Sequence, residues 1–401
     1  MYICQNNTSS LRVINKSRRV SFIRTIIGNA FIEIQDYLTE ITRLNEEKIK
    51  LCEVIRSLNP RIPDLPPYLS TLSYDTEILT QLSPQDISGL TIGGIDGGYA
   101  SRLFIGFDIF VFRAIAVFST YTPEGIQKTT YYPSKTPPLE ISLSDVGLSS
   151  SDFENMGSIR RTITELQIAS QILDQSTKKL DLLLIDGSPA LRKPLTSNQR
   201  ILNYYQTYLS ILSRLIFKAN KQGVKLMWII KDSRLNLFTK FLGRMLPFIV
   251  EKTPNLLSLD YRRIVNRSRD MDLFYYLLEA NTRSMVYQRE FNIFREFTQD
   301  YALYAYYLKT APFDIPLRIE IFQSKHKDQE ALIKEINVIS ETILPISQYN
   351  KTYGIPAPIV EADARVKIKE SEIDALFQLI RIRHPTPDLW FYRRERAPWK
   401  F

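Results

Sequence analysis

Residues 91–121 read TIGGIDGGYASRLFIGFDIFVFRAIAVFSTY, and the predicted architecture rests on this stretch. A short apolar strand is predicted over residues 90–96, ending in Asp96, and Gly97-Gly98 is predicted to form a turn. The apolar run over residues 103–120 is typical of a strand that is buried on both faces. A carboxylate at the end of a buried strand costs free energy unless a partner compensates its charge.

A second stretch repeats this pattern. Residues 182–188 read LLLIDGS, and Asp186 follows a strand predicted over residues 180–185. Carboxylate oxygens suit Mg²⁺ and Mn²⁺, and a divalent cation relieves the repulsion between clustered acids. The two strands therefore predict a carboxylate metal site on a sheet. For Asp96 alone an ordinary turn residue remains the alternative, because Asp before Gly is common in turns.

The order of the predicted elements matches the ribonuclease H fold, an α/β fold with a mixed sheet flanked by helices. Three hairpin-like strands come first, followed by helix, strand, helix and strand, and their ranges are 90–96, 103–120, 129–132, 158–176, 180–185, 199–223 and 224–230. That fold places carboxylates at the end of strand one, within the first helix and at the end of strand four. Asp96, Glu165 and Asp186 occupy these three places.

The composition narrows the class of protein. There are 52 Lys and Arg against 43 Asp and Glu, a net charge of +9, which favours a polyanionic partner such as nucleic acid. The two cysteines, Cys4 and Cys52, have no metal or disulfide spacing, and the histidines, His326 and His384, have no nearby ligand partners. Without a long apolar run or a signal peptide, a cytoplasmic protein with no membrane contact is expected.

Three regions are predicted along the chain: an N-terminal helical arm with a proline-rich connector over 1–85, a nuclease-like domain over 86–380 with its core at about 90–235, and a basic and aromatic tail over 381–401. Two interpretations of the arm stay open, namely packing on the domain and self-association. Residues 133–151 are predicted as a loop, and residues 359–382 as one final helix.

Several short motifs resemble the NurA nuclease family and occur in its order. They are IDGGYASRLFIGFDIFVFRAIAV from residue 95, Glu165 in its helix, LLLIDGS at 182–188, WIIKDSR at 228–234, ANTRSMVY at 280–287, YYLK at 306–309, LRIEIF at 317–322 and YGIPAPIVEADARVKI at 353–368. The resemblance covers most of the chain, from about residue 90 to residue 379.

The resemblance implies a manganese-dependent DNase, with Mg²⁺ as an alternative ion, that acts on single- and double-stranded DNA. It implies 5′ to 3′ exonuclease and single-strand endonuclease activity in DNA-end processing, and a homodimer that docks on a HerA-type hexameric ATPase. By position, Asp96, Glu165 and Asp186 are the expected metal ligands. Lys231, Arg234, Arg283 and Lys309 lie in family-like motifs and are the expected DNA contacts.

The C-terminal motif departs from the family pattern, which usually reads Gly-Tyr-Pro followed by Ala-His. Ile355 stands at the tyrosine position and Asp363 at the histidine position. Two interpretations stay open: the site is impaired and the protein has drifted toward a structural role, or Asp363 supplies a fourth catalytic carboxylate. For Asp363 itself the alternative is an acid in the first turn of a helix, where the dipole favours it.

Two rival functions follow. One is a DNA-binding clamp subunit of a translocase with weak or no catalysis, and the other is an actin-like phosphotransferase. The second rival would require a further glycine-rich phosphate loop, and the chain has only 14 glycines.

Overall fold

The computed structural model describes residues 34–70, 73–104, 107–145, 148–175, 180–250, 253, 259–289 and 300–383. Its centre is one 11-stranded sheet. The strands are β1 (Leu79–Gln81), β2 (Thr91–Leu103), β3 (Phe107–Thr122), β4 (Gly125–Tyr132), β5 (Glu140–Asp145), β6 (Leu182–Asp186), β7 (Lys225–Ile230), β8 (Thr282–Ser284), β9 (Tyr287–Gln288), β10 (Tyr301–Lys309) and β11 (Leu317–Ser324).

The spatial order of the strands is β1-β8-β10-β11-β7-β6-β2-β3-β4, with β5 beside β3 and β9 beside β10. Strands β2, β3 and β4 form an antiparallel meander. Strands β6 and β7 add in parallel to β2. This half of the sheet has the strand order and directions of a ribonuclease H-like core, so the predicted fold class is confirmed.

Helices cover both faces of the sheet. They are α1 (helical over 34–58), α2 (Pro67–Ser70), α3 (Ser150–Gln175), α4 (Gln199–Gln222), α5 (Leu237–Val250), α6 (Tyr261–Asn266), α7 (Asp270–Leu277), α8 (Gln329–Ser347), α9 (Ala357–Val366) and α10 (Glu370–Arg383). Helices α3 and α4 pack on the face that carries Ile95 and Ile185. Helices α8 and α9 pack on the opposite face, which carries Ile92 and Leu184.

The N-terminal arm shares a core with the domain. Leu51 and Ile55 of α1 are fully buried in one apolar cluster with Phe238 of α5 and Phe274 of α7. Strand β1, within the predicted connector, pairs with β8 and so extends the main sheet. These contacts agree with the packing interpretation of the arm. Self-association stays a prediction, as does the division of the chain at residue 85, and residues 1–33 and 384–401 lie outside the described part.

Three local predictions are wrong. The Gly97-Gly98 pair is not a turn, since β2 continues through it to Leu103. The predicted loop over 133–151 contains β5, which pairs with β3. The predicted final helix is two helices, α9 and α10, separated at residues 367–369. Tertiary contacts caused the first two errors, because glycines with a helix packed on them and short exposed strands carry little local signal.

Candidate active site

The site forms where one strand stops and its neighbour continues. In the parallel pair β2–β6 the last matched residues are Ile95 and Ile185. Strand β6 ends at Asp186, while β2 runs on to Leu103. From Asp96 onward β2 therefore has no partner strand on this side, and a cleft opens there. Ligand sites of α/β sheets occur at such carboxyl ends of parallel strands.

Glycines on β2 allow α9 to approach this cleft. A Cβ atom at Gly98 would lie 2.4 Å from the carbonyl oxygen of Val366, and one at Gly94 would lie 2.5 Å from the carbonyl carbon of Pro358. Alternate residues of a strand share a face, so both glycines lie on the same face as Asp96. The helix is seated directly on the backbone of β2, and this contact brings Asp363 to the cleft.

Lys231, the residue after β7, lies among three aspartates. Its Nζ atom is 3.2 Å from Asp186 Oδ2, 3.4 Å from Asp363 Oδ1 and 3.8 Å from Asp96 Oδ2. Burial lowers the pKa of this ammonium, but the three aspartates outweigh burial and raise the pKa above its ordinary value. One cation thus faces three carboxylates, and the pocket retains an excess of negative charge.

Asp96 is the most buried of the three aspartates, with 3% exposure. Burial and then the charge of Asp186 raise its pKa to about 7, against the opposing effect of Lys231. Its Oδ1 accepts a hydrogen bond from the Gly97 backbone N–H at 2.7 Å. For Asp363, burial is outweighed by Lys231 and Lys367, which hold its pKa below the ordinary value.

Glu165 approaches β2 from the opposite face. It lies on α3, and a Cβ atom at Gly97 would lie 2.7 Å from its Oε1. Burial raises its pKa to about 8, although Arg161 acts in the opposite direction. The Arg161 guanidinium donates to Glu165 Oε1 at 2.7 Å and to the Gly97 carbonyl at 3.3 Å. The four acids therefore reach the open end of the sheet from both faces.

The chemistry of these donors fits a hard divalent cation. They are all carboxylate oxygens and they are crowded. Burial opposes the ionisation of Asp96 and Glu165, so a bound cation would stabilise the charged forms of these two acids. Within the described ranges no group of three His, Cys, Asp or Glu side chains is already arranged as a metal site. The Lys231 ammonium lies between the aspartates instead. A cation that binds these aspartates would therefore meet the Lys231 ammonium.

The position of Asp363 in its helix tests the alternative that it is only an acid of the first turn. It lies in the second half of the 10-residue helix α9 and not in the first turn. The helix dipole is unfavourable for an acid there. The alternative of a first-turn acid stabilised by the dipole is therefore wrong. Ile355, at the other altered position, is buried at 6% exposure in the apolar cluster beneath α8.

The four predicted DNA contacts have different environments. Lys231 belongs to the aspartate cluster, and Arg234 is exposed in the loop that follows β7. The prediction that Arg283 contacts DNA is wrong in this structure. Arg283 is fully buried and pairs with Asp75 through two hydrogen bonds of 2.8 and 2.9 Å. The prediction that Lys309 contacts DNA is also wrong, since Lys309 is 4% exposed and donates a hydrogen bond to the Tyr275 carbonyl at 2.7 Å.

Sequence reasoning missed three features of the site. The sequence predicts Lys231 as a DNA contact and not as a partner of the acids, because nothing local shows that the end of β7 faces Asp363. Arg161 lies four residues before Glu165, and this i,i+4 spacing was a readable signal of an ion pair on a helix. Tyr99 and Lys367 line the cleft beside Asp96 and Asp363. Arg318 and Glu320 of β11 form an ion pair at 3.1 Å and do not line this cleft.

Comparison with known proteins identifies the family. The model of the NurA domain matches residues 90–368, whereas no curated protein sequence matches at a significant level. The crystal structure of the NurA nuclease from Sulfolobus solfataricus aligns with a TM-score of 0.55 at 14% identity, covering 93% of this chain and 99% of that chain. A crystal structure of NurA with manganese aligns with a TM-score of 0.45 at 10% identity, covering 88% and 99%. Since the family match spans well over half of the 401 residues, the chain belongs to the NurA nuclease family.

Proposed function

We propose that this protein is a metal-dependent DNA nuclease that hydrolyses phosphodiester bonds in the cleft between β2, β6 and α9. The observation that carries the proposal is the meeting of Asp96, Asp186 and Asp363 around one ammonium, with Glu165 behind β2. Three aspartates at the open end of a sheet repel one another, and this repulsion is relieved when cations bind there.

Each side chain has a role in this proposal. Asp96, Glu165 and Asp186 would hold Mn²⁺ or Mg²⁺, and Asp363 would add a fourth carboxylate from α9. Divalent ions at such sites lower the pKa of water and withdraw charge from a phosphodiester. Arg161 keeps Glu165 in place through the 2.7 Å hydrogen bond. Lys231, once released by the aspartates, would be free to contact a phosphate of the scissile strand.

The finer features of the proposal rest on the resemblance to the family. They are 5′ to 3′ exonuclease and single-strand endonuclease activity, action on single- and double-stranded DNA, and DNA-end processing by a homodimer that docks on a HerA-type hexameric ATPase. The net charge of +9 supports a polyanionic substrate. Among the described helices none is long and apolar enough to cross a membrane. A cytoplasmic location stays a prediction.

A nuclease assay tests the proposal. End-labelled single- and double-stranded DNA is incubated with Mn²⁺, Mg²⁺ or EDTA, and the wild type is compared with Asp96→Asn. Cleavage is expected with Mn²⁺ and not with EDTA. The cleavage rate of Asp96→Asn should be lower than that of the wild type by about 100-fold or more. Asp108→Asn is the matched control, because Asp108 is a buried acid of β3 that does not line this cleft. Equal cleavage by both variants would contradict the proposed site.

A second candidate function is a DNA-binding clamp with weak catalysis. One observation favours it, namely that Lys231 occupies the space among the aspartates and no three acids are ready to hold a metal in the described residues. Metal-dependent DNA binding without cleavage in any of the assays above would support the clamp. ATP hydrolysis by the protein alone would instead support the actin-like alternative.

A further inference from the structure

Tyr99 is an exposed aromatic residue beside the candidate catalytic acids. It lies on β2 three residues after Asp96, and it lines the same cleft as Asp96, Asp186 and Asp363. It is 41% exposed. Single exposed aromatic residues are common on protein surfaces and need no explanation. Tyr99 differs because its exposed part lines the cleft that contains the candidate catalytic aspartates.

The ring of Tyr99 is held in place before any ligand binds. It stacks on Phe112 of β3, with 6.2 Å between ring centroids and 28° between the planes. Phe112 is itself fully buried and lies directly opposite Tyr99 in the β2–β3 pairing. On α3, a Cβ atom at Gly157 would lie only 2.5 Å from Tyr99 Cε2, so a glycine is required where the ring passes the helix. The aromatic ring is therefore packed against Phe112 and α3 while part of it stays open to solvent, as a stacking surface requires.

The surroundings of the ring match a nucleic-acid strand. Lys367, with 71% of its side chain exposed, lines the same cleft and can contact a phosphate. Arg161 lines the other side, next to Glu165. Proteins that bind single strands combine such cations with aromatic rings on which bases stack. Bases within a duplex are already covered on both faces by their neighbours, so only an unpaired or terminal base can stack here.

We propose that Tyr99 stacks on the base of an unpaired nucleotide next to the scissile phosphate and thereby selects single-stranded DNA or frayed ends. The inference rests on the proposed nuclease function of the same cleft. The phosphodiester lies at the acids, and the base of the adjoining nucleotide turns toward β2 and covers the free part of the ring. A base-paired end must first open by one pair to reach this arrangement.

Binding measured in EDTA tests the inference without any cleavage. Single-stranded oligonucleotides with 2-aminopurine at or near the 5′ end are titrated with the full-length protein at low salt. Stacking on Tyr99 should quench the fluorescence of the probe at one position. Tyr99→Leu should weaken binding by about 5- to 100-fold and abolish the quenching, whereas Tyr99→Phe should retain both. A blunt duplex with a GC-rich end should bind the three proteins equally.

Tyr37→Leu is the matched control, since Tyr37 is 62% exposed on α1, a helix whose buried part packs with α5 and α7. It should bind like the wild type. Equal losses for single strands and duplex in Tyr99→Leu, or no loss at all, would overturn the inference. If the wild type cleaves DNA but Tyr99→Leu keeps its preference for single strands, the stacking role fails and the nuclease stands. If no metal supports cleavage but the Tyr99-dependent quenching remains, the nuclease fails and the stacking role stands.

Discussion

The Nζ atom of Lys231 lies 3.2 Å from Asp186 Oδ2, at the ends of two adjacent parallel strands. The same ammonium is 3.4 Å from Asp363 and 3.8 Å from Asp96. A single lysine thus supplies the positive charge that stabilises the cluster of aspartates when no metal is bound.

Lys231→Met should destabilise the metal-free protein and increase its response to Mn²⁺. Loss of the ammonium leaves three aspartates in mutual repulsion, and we expect a cost of about 1–3 kcal/mol in the free energy of unfolding in EDTA. Added Mn²⁺ then meets no competing cation and should stabilise the variant more than the wild type. Denaturant unfolding with and without Mn²⁺ measures both effects.

Lys225→Met is the control for this prediction, because Lys225 lies at the other end of β7 and pairs with Glu335. It should leave the Mn²⁺ response unchanged. An identical Mn²⁺ response in Lys231→Met and the wild type would contradict competition between the lysine and the metal.

Asp363→Asn should lower Mn²⁺ affinity by about 10- to 100-fold. The substitution removes the charge but keeps the size of the side chain, and the affinity falls because one oxygen donor from α9 is weakened. Isothermal titration with Mn²⁺ measures the change. Asp374→Asn, an exposed acid of α10, is the control and should bind as the wild type does. Unchanged Mn²⁺ affinity in Asp363→Asn would show that Asp363 is not a metal ligand and that it pairs only with Lys231 and Lys367.

Gly98→Ala should displace α9 from β2. The added Cβ atom would lie 2.4 Å from the Val366 carbonyl oxygen, which is a backbone atom and cannot rotate away. We expect a loss of about 1–3 kcal/mol in the free energy of unfolding together with reduced nuclease activity, because Asp363 moves with the helix. Thermal and denaturant unfolding measure the first effect.

Gly243→Ala is the control for the glycine prediction. Gly243 lies inside α5, and a Cβ atom there would be 3.4 Å from Val265 Cγ1. Because alanine has the higher helix propensity, we expect no change or a gain of up to about 1 kcal/mol. If both alanine variants behave alike, close contact of α9 with β2 does not limit stability.

Lys309 should make stability depend on pH in the alkaline range. Burial lowers its pKa to about 8 from the model-compound value of 10.5. Between these values the unfolded chain binds more protons than the folded chain, so the free energy of unfolding gains a positive slope with pH. The penalty for burying the charge is complete below pH 8 and is lost as the pH rises toward 10.5.

The comparison of wild type with Lys309→Met isolates this contribution. From pH 7.5 to pH 10 the unfolding free energy of the wild type should rise relative to that of Lys309→Met. This pH range follows from the pKa of about 8. DNA affinity should stay the same, since the lysine is 4% exposed. A flat difference across the window, or a large loss of DNA affinity, would rule against this account.

The ribonuclease H-like half of the sheet could be predicted because its signals are local. Asp96 and Asp186 each follow a run of apolar residues, and the order of strands and helices restricts how these runs can pair. Glu165 could be placed by the same order. The basic residues show the limit of this reasoning, because Arg283 and Lys309 look like Lys231 in the sequence but are buried in separate pairings.

The sequence by itself predicted the strand order of the ribonuclease H-like half of the sheet, three candidate acids within that half and the basic character of the chain. Only the tertiary structure decided which groups meet at the cleft. Gly98 and Val366 are far apart in the chain, and their contact sets where Asp363 lies. Lys231 faces the aspartates because β7 pairs with β6 up to Asp186 and ends one residue before Lys231. Such contacts depend on the packing of distant segments, which local residue preferences do not encode.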